Sequence, residues 1–300
     1  MPTSIIFFNA FHNGDIHVSR SFVKYITEHM DNINFYYAHE NKQILNDIPK
    51  IKEDKSLMGQ IGDNYKLESF ERGDLLYLNT WYASGNHKYM NQYGITYDCL
   101  YFLMESHFNK LGLTIPGPVE LYPSIDYSYY KIDGIKEYMD KFWRKIFISN
   151  GQSLSGQADN FSMSHAINKL SSENPDKHFF ITNEDSAIQH RDNIHFTRQI
   201  INKDGCDLNE NAYISSFCDM VIGRASGAFS FTLNKDSLFN KDILYISISN
   251  MSFAGDYWIG ERFKDNIKYK SKVINYDISN VVEFESVISK HMEEINWRVI

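Results

Sequence analysis

The chain has 300 residues, 43% of them hydrophobic, and a formal net charge of -8. That length admits one large domain or two of ordinary size, with enough apolar residues for full cores. The negative balance argues against a nucleic-acid backbone as a general partner, because binding phosphates along a strand takes a surplus of Lys and Arg. Cys99, Cys206 and Cys218 are widely spaced and odd in number, with no Cys-x-x-Cys pair. They fit a reducing compartment and give neither a disulfide framework nor a zinc site. Residues 1–9 lack a charged n-region and a signal-peptide core, and no apolar run reaches the length of a membrane span. The expectation is a soluble, cytoplasmic protein, with peripheral membrane contact left open.

Ile5 to Phe8 reads as a buried strand, followed by a polar loop over Asn9 to Asp15. Ile16 to Met30 places Phe22, Val23, Ile26 and Met30 at helical spacing. A second strand is expected over Ile33 to Ala38, and a short helix from His39 to Leu45. Lys50 to Gly73 is polar with weak periodicity and reads as loops with minor structure. Leu75 to Leu78 reads as a third strand and Thr96 to Leu113 as a long helix. Ile115 to Tyr130, with Pro116, Pro118 and Pro123, is the best linker, and Asp133 to Trp143 is expected to be helical. A second cycle starts with a strand at Lys145 to Ile148, a Gly/Ser loop, a helix over Asn160 to Leu170 and a strand at His178 to Ile181. A helix over Leu208 to Phe217 leads to a strand at Met220 to Ile222 that ends at Gly223. A further helix opens near Phe229. Strands at Ile243 to Ile248 and Lys272 to Tyr276 and a helix over Val281 to Ile295 complete the chain.

Strand and helix alternate in both halves, so the expected fold class is α/β with parallel sheets. Two Rossmann-like domains facing across a cleft are expected, residues 1–130 and 131–300, meeting near 115–145. The last helix is a candidate to pack back on the first domain. In such sheets ligands bind beyond the carboxyl ends of the strands, which singles out the loops after Phe8, Leu78, Ile148, Ile181 and Ile222.

In the first of these loops, His12, Asn13, Asp15 and His17 surround a helix start. Asp15 has two readings: a base that takes a proton from an attacking hydroxyl, or a cap of the helix. A helix N-terminus also lowers a carboxylate's pKa, which weakens the base reading. His12 is the alternative base or a phosphate contact, and His17 reads as structural. Thr80 and Trp81 give an aromatic, polar surface suited to a sugar face, or a loop anchor. In the second half, Arg224, Ser226 and Gly227 form a strand–turn–helix suited to an anion, with Arg224 as a planar fork for phosphate oxygens; the plain reading is a βα turn. Gly151, Ser153 and Ser155 lack both the Walker Lys and a Gly-x-Gly-x-x-Gly pattern, and so read as a phosphate contact rather than a nucleoside-triphosphatase or nicotinamide motif. Thr182 and Asn183 follow a strand and suit a base or ribose, or an ordinary turn. No Gly-x-Ser-x-Gly elbow is present, and the histidines have no metal-pair spacing, so no metal is assigned.

The segment Asn13-Gly14-Asp15-Ile16-His17 after a first strand resembles the Gly-Asp loop of bacterial heptosyltransferases and related GT-B glycosyltransferases. Leu208 to Phe231, with Cys218-Asp-Met-Val-Ile-Gly-Arg-Ala-Ser-Gly227, is similar to the donor-side segment of that superfamily. The resemblance implies a nucleotide-sugar donor on the second domain, as substrate with no other cofactor. It implies a carbohydrate or glycoconjugate acceptor near Asn13, His17, Thr80 and Trp81 on the first. It further implies metal-independent, inverting transfer in bacterial surface polysaccharide synthesis. A nucleotide-sugar epimerase of the same fold, or a non-catalytic sugar- or nucleotide-binding protein, is the competing class.

Overall fold

The structure, a computed structural model, describes residues 2–9, 12–39, 43–81, 88–94, 96–154, 156–250, 259–295 and 297. The chain divides into two units, one of Met1–Tyr129 with Trp258–Lys268, the other of Tyr130–Tyr257 with Tyr269–Ile300.

In the first unit, β1 (Ser4–Phe8) leads to α1 (Asn13–His29), β2 (Asn34–Ala38), β3 (Ile51–Glu53) and the single-turn α2 (Met58–Ile61). Then come β4 (Ser69–Arg72), β5 (Leu75–Asn79), α3 (Lys88–Tyr93) and α4 (Tyr97–Lys110). The five strands lie in the order β3-β2-β1-β5-β4. All pair in parallel except β4, which runs antiparallel to β5. Ile5, Ile6, Phe7 and Phe8 are each at most 1% exposed, as befits a central parallel strand covered on both faces.

The 50–73 stretch holds more regular structure than its polarity predicts. β3 and β4 are edge strands, half-buried or exposed. With one face in water they need no continuous apolar run, so periodicity passes over them. Gly73, at a φ of 57°, turns β4 into β5, the left-handed backbone that a two-residue hairpin loop requires. The helix expected from His39 falls partly outside the described residues. Residues 43–45 form turns, with the Leu45 N–H donating to Glu53 Oε1 at 2.6 Å.

The second unit runs α5 (Ile135–Met139), β6 (Lys145–Ser149), α6 (Ser164–Glu173), β7 (His178–Ile181), β8 (Ile194–Phe196), α7 (Thr197–Ile201) and α8 (Leu208–Ser215). It continues with β9 (Met220–Arg224), α9 (Gly227–Thr232), α10 (Lys235–Asn240), β10 (Leu244–Ile248), β11 (Lys272–Tyr276) and α11 (Val281–Glu294). Its sheet, β11-β10-β9-β6-β7-β8, is parallel throughout. Read from β8, this is the doubly wound order, with its direction reversing between β6 and β9. The helix expected over 133–143 shrinks to α5. Phe284, Ile288 and Met292 of α11 join Ile167 and Leu170 of α6 in the second core. The segment 258–268 belongs to the first unit. Its Arg262 N–H donates to Asp98 Oδ2 at 2.8 Å, and Phe263 lies 4.9 Å from the Tyr101 ring.

Gly223 does not end its strand; it lies inside β9. A Cβ there would stand 2.7 Å from the Phe229 ring and 2.9 Å from the Ser149 Cβ. The missing side chain therefore lets α9 close onto the sheet where β6 and β9 meet. Gly223→Ala is expected to destabilise the fold by about 1–3 kcal/mol, the usual effect of overpacking a core. A lower urea midpoint with an unchanged slope would show it.

Candidate functional site

In the first unit the strand order reverses between β1 and β5, and the polar residues after those strands meet there. Asn9 and Thr80 are the residues following β1 and β5, and Tyr37 comes from β2. The Tyr37 hydroxyl lies 2.6 Å from Thr80 Oγ1 and accepts from Asn9 Nδ2 at 3.3 Å. Thr80 Oγ1 donates to the Phe8 carbonyl at 3.1 Å. Asn9 also fastens the loop to its right, accepting from the His12 N–H at 3.1 Å and donating to the His12 carbonyl at 3.2 Å. Burial pushes the Tyr37 hydroxyl up to about 12, with the nearby Asp15 charge adding to the shift.

Asp15 sits in the first turn of α1 and is 8% exposed. Desolvation raises its carboxyl to about 7. This reverses the expectation that the helix N-terminus would depress it: loss of water outweighs the helix dipole, whose effect is typically below about 1 kcal/mol. The cap position belongs to His12, which makes no side-chain capping bond. Desolvation lowers the His12 imidazole below its ordinary value. Its ring lies 6.4 Å from that of half-buried Trp81. Asn13, half-buried, opens the helix beside them.

Two of the residues expected to contact an acceptor are turned inward. Thr80 is 0% exposed and committed to the Tyr37 hydroxyl and the Phe8 carbonyl, and His17 is 0% exposed inside α1. Both side chains are enclosed by the protein. His12, Asn13, Asp15 and Trp81 remain around the loop.

In the second unit the reversal lies between β6 and β9. Asn150, next after β6, accepts from Thr182 Oγ1 at 3.0 Å and from the Asn183 N–H at 2.8 Å, and donates to the Asn183 carbonyl at 2.9 Å. Gly151 packs so that a Cβ would stand 3.1 Å from Asn183 Nδ2. Thr182 and Asn183 are thus joined to the Gly151 loop, as one polar surface. Ser153 is 2% exposed, and its hydroxyl donates to the Ala225 carbonyl at 3.1 Å. It ties two loops together instead of facing a phosphate. Ser155 lies outside the described residues. Ser226 and Gly227 are half-buried at the start of α9, and the Ser226 side chain makes no capping bond.

Arg224 departs furthest from expectation. It is 2% exposed, and its guanidinium donates to four backbone carbonyls: Asp159 at 2.9 Å, Gly151 at 2.9 Å, Asn150 at 3.3 Å, and Phe161. The Phe161 ring lies beneath it, 4.9 Å from Cζ. The planar fork that recommended Arg224 for phosphate oxygens is used on the protein's own backbone. Its role is to shape the Asn150–Gly151 loop. Sequence reasoning missed Asn9, Tyr37 and Asn150. Asn9 and Asn150 each follow a central strand directly, and that position was the available signal.

Among the described residues, no three His, Cys, Asp or Glu side chains form a metal-ligand group, and no helix is long and apolar enough to cross a membrane. No protein-family model and no curated protein sequence matches the chain. Among solved structures, E. coli heptosyltransferase WaaC with ADP-2-deoxy-2-fluoro heptose is similar, with a TM-score of 0.52 at 7% identity over 97% of this chain and 99% of that one. A glycosyl transferase family 9 structure from Veillonella parvula gives 0.47 at 11% identity, over 98% and 90% of the two chains. The S. aureus MnaA–UDP structure gives 0.48 at 12% identity, over 97% and 88%. The likeness to WaaC shows the fold: two Rossmann-like units of the GT-B type.

Two outcomes follow for stability. Arg224→Ala leaves buried carbonyls without donors and is expected to destabilise the protein by about 3 kcal/mol or more. Arg224→Lys should not restore it, because an ammonium lacks the planar fork. Chemical denaturation of both variants checks this. For Asp15, the folded pKa of about 7 exceeds the ordinary 3.8. The native state therefore holds a proton that the unfolded state has lost, and stability falls as pH rises from about 4 to about 7. Asp15→Asn removes that penalty. Its melting temperature should exceed that of the parent at pH 8, and the difference should shrink towards pH 4.

Proposed function

We propose that the chain is a glycosyltransferase that moves a hexosyl or heptosyl unit from a nucleotide sugar to a hydroxyl acceptor, with inversion and without a metal. The observation that carries this reading is Asp15: a desolvated carboxyl raised to about 7, at the strand-order reversal of a Rossmann-like unit in a GT-B fold. A base is most effective when its pKa lies near the working pH. A carboxylate at this position is thus suited to a hydroxyl acceptor at neutral pH.

In the proposed reaction the Asp15 carboxylate accepts the acceptor's hydroxyl proton. The acceptor oxygen forms a bond to the anomeric carbon from the face opposite the diphosphate. The bond from that carbon to the diphosphate oxygen breaks, and a nucleoside diphosphate leaves. Asn13 and Trp81 orient the acceptor, the indole offering a flat apolar face to a sugar ring. His12, its pKa lowered by desolvation, is neutral at pH 7 and positions substrate by hydrogen bonds.

The donor is placed at the carboxyl ends of β6 and β9. There Gly151, Ser226 and Gly227 offer close backbone approach for the diphosphate, while Thr182 and Asn183 contact the nucleoside. Arg224 acts indirectly, by holding the Gly151 loop in shape. The similar E. coli structure is of a heptosyltransferase with ADP-2-deoxy-2-fluoro heptose, which supports a nucleotide sugar as the substrate class. A bacterial surface glycoconjugate as acceptor and a cytoplasmic setting belong to the same proposal.

Incubation with a panel of nucleotide sugars should release nucleoside diphosphate, slowly without acceptor. Epimer formation with no diphosphate release would overturn the reading in favour of an epimerase. Asp15→Asn should keep donor affinity by calorimetry and lose transfer by about 10²–10⁴-fold, the usual contribution of a general base. The parent's kcat/KM should rise with pH and level off above about 7. Near-normal turnover by Asp15→Asn would remove Asp15 from the mechanism.

A further inference from the structure

Tyr37 lies on β2 with 0% exposure, and its hydroxyl links polar groups at the ends of the neighbouring strands β1 and β5. Thr80, next after β5, gives its one hydroxyl hydrogen to the Phe8 carbonyl at the end of β1. Its oxygen lies 2.6 Å from the Tyr37 oxygen and therefore accepts the Tyr37 hydrogen. With that hydrogen given, the Tyr37 oxygen acts as an acceptor, and Asn9 Nδ2 donates to it at 3.3 Å. Ser19 Oγ stands 3.5 Å away, at the limit of a bond, and gives its own hydrogen to the Ile16 carbonyl at 3.2 Å. The direction of each bond in the series is thereby fixed.

The series ends on the peptide that starts α1. Asn9 Nδ2 also donates to the His12 carbonyl at 3.2 Å, and Asn9 Oδ1 accepts the His12 N–H at 3.1 Å. The same carbonyl receives the N–H groups of Asp15 at 3.1 Å and Ile16 at 3.3 Å. Tyr37 decides which way the Asn9 amide faces, because an oxygen whose hydrogen is already given takes only a donor. A flipped amide would lose its bonds to Tyr37 and to both sides of the His12 peptide. Burial pushes the Tyr37 hydroxyl up to about 12, so it keeps its hydrogen at neutral pH and is no base itself.

We infer that Tyr37 is a positioning residue: through Asn9 and the His12 peptide it fixes where Asp15 sits and keeps water from its carboxyl. The catalytic meaning of this role rests on the proposed reading of Asp15 as proton acceptor. Asp15 shares α1 with His12 and His17 and lies near Tyr37 of β2, whose hydroxyl feels its charge. Burial is what raises the Asp15 carboxyl. A change that loosens the His12 peptide and admits water should therefore lower it towards the ordinary value.

Tyr37→Phe tests this, since Phe keeps the ring that stacks on Phe7 at 6.3 Å and deletes only the hydroxyl. Thr80→Val cuts the same series at its other end. In carbon-13 NMR titrations of the full chain with labelled aspartate carboxyls, both variants should lower the Asp15 midpoint by about one unit or more relative to the parent. Tyr77→Phe is the comparison: its hydroxyl donates to Gln60 Oε1 at 2.7 Å and takes no part in the series. That variant should lose stability and leave the Asp15 midpoint in place. In assays of nucleoside-diphosphate release from whichever nucleotide sugar the parent consumes, Tyr37→Phe should lower kcat on the order of tenfold or more at unchanged donor KM.

An unmoved midpoint in whichever of Tyr37→Phe and Thr80→Val folds would overturn the proposal and leave Tyr37 a purely structural residue. So would a midpoint lowered as much by Tyr77→Phe. A lowered midpoint with unchanged kcat would uphold the positioning and remove Asp15 from the transfer. If the parent consumes no nucleotide sugar, the transferase reading fails, and the titration still decides the role of Tyr37.

Discussion

A polar group that leaves water must find a hydrogen-bond partner or change its protonation state, and both outcomes occur at the carboxyl ends of these sheets. Arg224 takes the first course, its buried guanidinium donating to the carbonyls of Asn150, Gly151, Asp159 and Phe161. Loop carbonyls and a buried cation satisfy one another, so the chain leaving β6 has a defined shape without belonging to a helix or strand. Asn9, Tyr37 and Thr80 do the same in the first unit, through neutral hydrogen bonds. In both units the strand-order reversal is a hydrogen-bonded polar platform.

Asp15 takes the second course. Its burial raises the carboxyl to about 7, a shift that corresponds to a few kcal/mol of lost stability when the group is ionised. A fold keeps such a penalty where a neighbouring process uses it, and a base near neutral pH is one such use. The same carboxylate in water would be a far weaker proton acceptor. Structure and chemistry thus meet at one side chain, positioned by α1 and by the Asn9 clasp on the preceding loop.

Much of this was legible in the sequence. The runs Ile5 to Phe8, Lys145 to Ile148 and Met220 to Ile222 mark central strands, because a strand buried on both faces is apolar without interruption. β3 and β4 escaped because edge strands follow no such rule. β8, α7 and α10, only 3, 5 and 6 residues long, are too short for periodicity to register. The loops singled out in the sequence do follow strands of the two sheets, since position after a strand depends on topology alone. Individual roles were less legible. Arg224 and Ser153 have the chemistry of phosphate ligands, but their burial and partners come from Phe161, Asp159 and Ala225, which local sequence does not bring together. Likewise, desolvation of Asp15 outweighs the helix terminus only once the tertiary fold has buried it.

Carbon-13 NMR of the protein with labelled aspartate carboxyls, assigned with Asp15→Asn, reads the state of Asp15 directly. Titration from pH 3 to pH 9 should show its resonance moving with a midpoint near 7. A midpoint near 4, the ordinary value for aspartate, would mean that the carboxyl remains hydrated and ionised. It would contradict Asp15 as the proton acceptor of the proposed transfer.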